Sequence, residues 1–195
     1  MIKTERPKIT KILAVTLHLE AAGFLILSGE GPVSTHTILS AARDILKDLH
    51  RVNENEFIRY FDGVLREFLK ADFYSTWNKL VRQPANFLKH ADNDPAGVLD
   101  SVDFVGLNEL ELIMTSLALW SANRFIENRL FPALIYCGLQ NPNSINLDKM
   151  FGIIPESAAF LEELKEIPKQ SQRVRMLDLF LGIPALGKSC QQRHC

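Results

Sequence analysis

The chain has 195 residues, 47% of them hydrophobic and 23% charged, with 22 basic against 23 acidic side chains. This is the composition of a globular protein large enough to fold without a metal or disulfide, and the net charge of −1 excludes a protein that coats a polyanion over its whole surface. Cys137, Cys190 and Cys195 include no CxxC pair and no histidine at ligand spacing, which excludes a disulfide framework or structural zinc site and implies a reducing, cytoplasmic setting.

The apolar period is helical nearly throughout. Ile12, Val15, Leu19, Ala22 and Ile26 recur at steps of three and four, with Leu13, Leu17, Ala21 and Phe24 as a second stripe beside them. Two adjacent stripes predict a central helix buried over more than half its girth. His18 and Glu20 interrupt it where a membrane span or signal core would be apolar, so no export and no membrane are expected. Ser28 to Pro32 stops it, and Ser34 is the expected N-cap of the next helix.

In that second helix Ile38, Ala41, Ala42, Ile45 and Leu49 form the expected buried stripe, opposite His36, Ser40, Arg43 and Lys47. A third helix is expected from Asn53, with Phe57, Phe61, Val64, Leu65 and Phe68 facing the core. A fourth covers Phe73 to His90 and contains Pro84, which predicts a kink or a fresh start. A fifth runs from about Leu107 to Phe125, and Pro132 opens a short one to Leu139. Short helices are expected over Glu156–Glu166 and Lys169–Leu181, before a frayed end. The prediction is an all-α bundle of five or six helices over residues 1–142, with a short helical C-terminal appendage over 143–195.

The polar residues of the fourth helix carry the strongest chemical signal. Arg82, Asn86 and His90 stand four apart on one side, a cation, an amide and an imidazole suited to gripping phosphate. Lys89 lies beside them, and Asp92 and Asp94 follow closely enough to orient the imidazole. A free imidazole titrates near neutrality, so His90 is a candidate general acid or base. The same residues also fit a solvated helix end, where Lys and His are favoured by the dipole. His36 is a second catalytic candidate, expected in the first turn of its helix, where the dipole favours a neutral imidazole suited to a base or ligand. No histidines stand four apart, so no metal site is assigned, and the sequence identifies no particular cofactor and leaves that question open. Arg173, Arg175 and Lys169 form a small basic cluster expected to be a solvated face.

Gly31-Pro32-Val33-Ser34-Thr35-His36-Thr37-Ile38-Leu39 and Ala85-Asn86-Phe87-Leu88-Lys89-His90-Ala91-Asp92-Asn93-Asp94-Pro95 together resemble a family of small bacterial proteins with PVSxHTL and NFxKHADxDP motifs. That family carries no assigned activity. A more distant likeness is to HEPN domains, helical bundles that often dimerise and include ribonucleases. Asn86 and His90 fall at the polar and histidine positions of the HEPN motif, but Ala85 stands in place of its arginine and Arg82 is a turn too early. That departure counts against ribonuclease activity. The resemblance implies a homodimeric binding or regulatory module contacting a protein partner or nucleotide phosphate. The alternatives are a structural protein whose motif maintains the fold, and a metal-assisted hydrolase or ribonuclease using His90.

Overall fold

The computed structural model describes residues 9–51, 63, 66–89, 97–99, 103–123, 126–152, 163–164 and 166–182. Its helices are α1 (Lys11–Ser28), α2 (Pro32–Arg51), α3 (Ala71–Lys89), α4 (Phe104–Asn123), α5 (Phe131–Gln140), α6 (Leu147–Phe151) and α7 (Lys169–Phe180). A 3-10 turn, Asn128–Leu130, leads into α5. The fold is an all-α bundle, with no strand among the described residues. His90, Asp92 and Asp94 lie outside those residues, as do most of the helices expected from Asn53 and over Glu156–Glu166.

α1 and α2 form a hairpin, α4 packs against α1, α2, α3 and α5, and α7 lies on α5 and α1. The turn between α1 and α2 follows from its residues. Thr10 opens α1 by accepting from Leu13 N at 3.1 Å. Gly29 closes it at φ 75°, and its N–H reaches Leu25 O and Ile26 O. Glu30 N also bonds Leu25 O, so the carbonyls of Leu25 and Ile26 are satisfied within the turn. Helix α2 then starts at Pro32 rather than after Ser34. Proline suits a first helical position because the amide it lacks would have no helical partner there. Gly31 O receives Thr35 N at 2.8 Å, and His36 therefore sits one turn deeper than the sequence suggests.

The central helix is α4, not α1. Residues 107–119 of α4 are all buried, whereas α1 buries one face through Val15, Leu19, Ala22, Gly23 and Leu27. Along its other side Leu13 (41%), Leu17 (48%) and Phe24 (40%) are exposed. Both stripes satisfy helical periodicity, but α2, α4, α5 and α7 all approach α1 from the core side. Gly23 permits a close approach of α5, since a Cβ there would lie 3.1 Å from the Cβ of Ala133. By length and hydropathy α1 could cross a membrane, but so could many core helices.

Helix α3 continues through Pro84, which is buried together with Trp77, Val81 and Ala85. Just before α3 and just after α5, Leu69 and Ile145 form an isolated antiparallel bridge. Lys70 N donates to Ser144 O at 2.9 Å and Asn146 N to Phe68 O at 2.8 Å. Helix α7 is anchored by Gln172, whose amide donates to Leu164 O at 2.8 Å and Ile167 O at 3.0 Å, and by Met176 and Phe180 in the core.

Candidate functional site

Two polar groupings result from this packing, one enclosed and one exposed. The enclosed grouping lies between α2 and α4. On α2, His36, Ser40 and Arg43 recur at helical spacing and are all buried, as are Asn108, Glu111 and Thr115 on α4. The side of α2 that reads as the outer face is thus turned inward. Arg43 (2% exposed) pairs with Glu111 (0% exposed) at 2.5 Å between Nη1 and Oε1. His36, also fully enclosed, places Nδ1 3.1 Å from Asn108 Oδ1 and 3.1 Å from Glu111 Oε2. Only the first contact has hydrogen-bond alignment.

Asn108 fixes the tautomer. Its amide nitrogen donates to Pro32 O at 2.7 Å, so its oxygen must face His36, and Nδ1 must carry the hydrogen. The imidazole edge packs on Phe104 at 5.5 Å between ring centroids, and Nε2 is buried without a hydrogen-bond partner. Ser40 Oγ and Thr115 Oγ1 are buried in the same condition. The chain Pro32 O–Asn108–His36 with Glu111–Arg43 therefore pins the N-terminal end and the middle of α2 to α4. His36 itself is 0% exposed, so its ring is closed to a bound molecule in this conformation.

The exposed grouping is on α3. Arg82 and Asn86 are exposed, on the side away from Trp77, Val81 and Ala85. Lys89 is exposed and paired with Asp44 of α2. Lys47, one turn further along α2, has its pKa lowered, first by burial and then by the nearby cations Arg43 and Arg82, with Asp44 and Glu111 opposing them. The C-terminal half of α3 thus lies along α2, close enough for Arg82 to act on Lys47. Arg82 and Asn86 share one surface, and His36 belongs to the other grouping.

Sequence reasoning passed over Asn108, Glu109 and Glu111. The available signal was their position: three polar residues within four positions of an otherwise apolar helix require partners inside the fold. Glu109 accepts from Asn141 Nδ2 at 2.9 Å, and its pKa is raised, chiefly by burial and in lesser part by Asp103, against the lowering effects of the Asn141 hydrogen bond and of Lys169. Arg175 of the C-terminal basic cluster pairs with Glu163 at 2.9 Å, while Arg173 is half-buried against the α1–α2 turn rather than solvated. Among the described residues no group of three His, Cys, Asp or Glu side chains has metal-binding geometry. No family model, curated protein or solved structure matches the chain.

Proposed function

We propose that the chain is a HEPN-like binding or regulatory module, cytoplasmic and homodimeric, that contacts a partner or nucleotide phosphate through the polar face of α3. The observation that carries this reading is the exposure of Arg82 and Asn86 on one surface, close to Lys47 of α2. A guanidinium and an amide side by side suit phosphate oxygens, with the arginine able to bind in a bidentate manner. The enclosure of His36 favours binding over catalysis at that residue. For the dimer, support comes from the exposed row Leu13, Leu17, Ala21 and Phe24, an apolar stripe along α1 that a second copy would cover.

The test is titration of a fluorescent adenosine nucleotide into the wild-type chain and the Arg82→Ala and Asn86→Ala variants. Each variant is expected to weaken binding at least fivefold and to leave the melting temperature within about 2 °C, because exposed substitutions seldom change stability by more than ~0.5 kcal/mol. Equal affinity in all three proteins, or no binding by the wild type, refutes the assignment.

A further inference from the structure

At the α1–α2 turn, about 22 Å along α2 from Lys47 at 1.5 Å per residue, the structure contains a cavity of about 100 Å³ that the α3 surface does not involve. Its apolar wall is Leu25, Ile26, Pro32 and Val105, and its polar lining includes Asn108, Glu109, Tyr136 and Arg173. Some of this polar lining is already engaged. Asn108 uses its oxygen on His36 and its nitrogen on Pro32 O, and the Thr35 hydroxyl donates to Gly31 O.

Two groups are not engaged among the described residues. Tyr136 is more than nine-tenths buried, and its hydroxyl makes no hydrogen bond among the described residues. Its pKa is pushed up to about 12 by burial, then by Glu109 and Cys137, with Arg173 pulling the other way, which sets the phenol in the field of two other residues near the cavity. Arg173 likewise makes no ion pair or hydrogen bond among the described residues. Its guanidinium lies against Gly29 at the C-terminal end of α1, where the helix dipole favours a cation. The carbonyls of Leu25 and Ile26 there accept from the amides of Gly29 and Glu30.

We propose that this cavity binds a small organic monocarboxylate, its carboxylate held by Arg173 and the Tyr136 hydroxyl and its short apolar body against Leu25, Ile26, Pro32 and Val105. Guanidinium and phenol are both donors, so the ligand must supply acceptors. A monoanion suits the site better than phosphate for two reasons. Glu30 and Glu109 border the same space, so one guanidinium cannot neutralise a dianion beside them. The apolar wall also rewards a hydrocarbon tail that phosphate lacks. The volume limits the enclosed part to a few carbons, since an apolar cavity of about 150 Å³ holds a benzene ring.

The probe is sodium butyrate, with inorganic phosphate as the comparison, followed by ligand-observed NMR and calorimetry on the full chain. Butyrate is expected to bind with a Kd of about 1 mM or below, and phosphate at equal concentration is expected not to displace it. Tyr136→Phe, which removes an oxygen with no hydrogen bond among the described residues, should weaken butyrate about tenfold and keep the wild-type melting temperature. Arg173→Met should abolish binding. Absence of butyrate binding, tighter binding of phosphate, or unchanged affinity in Tyr136→Phe would each overturn the assignment. The α3 nucleotide titration is independent of all these outcomes.

Discussion

Replacing Glu111 with glutamine removes one charge and almost no volume, so it isolates the electrostatics of the enclosed grouping. Arg43 is left fully charged, 2% exposed, with Asp44 Oδ1 at 3.9 Å from Nε as its nearest remaining carboxylate oxygen, on a side chain 43% exposed to water. Two unit charges about 4 Å apart attract by about 4 kcal/mol at an effective dielectric of about 20. That agrees with the 3–5 kcal/mol typically lost when one partner of a buried pair is removed. For a chain of this length each kcal/mol moves the midpoint by about 2–4 °C, so Glu111→Gln should melt roughly 10 °C below wild type. Calorimetry checks the midpoint, and urea unfolding checks that the slope is unchanged. The double variant Arg43→Met/Glu111→Leu supplies the contrast: with both charges gone it should recover most of the loss, because well-packed apolar replacements of buried pairs are often neutral or stabilising. A Glu111→Gln protein within 1 kcal/mol of wild type would mean that the pair is not held dry, and the account of α2 pinned to α4 would fail.

Three other outcomes are expected. Glu109 holds its proton more tightly in the folded chain than in the unfolded one, so its contribution to stability is full below about pH 4.5 and is lost as pH rises through the folded value. Glu109→Gln does not titrate and can still accept from Asn141, so its stability relative to wild type should improve between pH 4 and pH 7; a constant difference refutes the burial argument. Gly29→Ala should cost about 1–2 kcal/mol, because the left-handed backbone penalises a Cβ that would also press on the Arg173 guanidinium. Chemical denaturation measures it, and a neutral result would contradict the left-handed cap. Leu17→Glu should convert a dimer to a monomer in size-exclusion chromatography with light scattering without unfolding it, and an unchanged mass removes α1 as the contact between copies.

The helices were readable in the sequence because apolar residues recur with helical spacing and because Gly29, Pro32 and Asn141 punctuate them. What periodicity could not decide was which of two apolar stripes on α1 finds neighbours, since that depends on where α2, α5 and α7 approach. The inward turn of His36, Ser40 and Arg43 escaped for a related reason. A polar row on an amphipathic helix looks the same whether it meets water or a counter-charge, and the counter-charge, Glu111, is 68 positions away. Arg82 and Asn86 were legible as a surface pair because i and i+4 on one helix share a face regardless of tertiary context. The cavity was not legible at all, for it is assembled from α1, α2, α4, α5 and α7.

The small bridge between Leu69 and Ile145 matters beyond its few hydrogen bonds. It draws together the two ends of the stretch that carries α3, α4 and α5, so that these helices form a loop tied at its base. Closing a loop that long has an entropy cost that rises only with the logarithm of its length, so a modest tie suffices once the helices have packed. The amides of Lys70 and Asn146 therefore act as gauges for the entire excursion. Their hydrogen exchange should quicken when α3 swings away from the bundle, even if every helix keeps its own internal bonds.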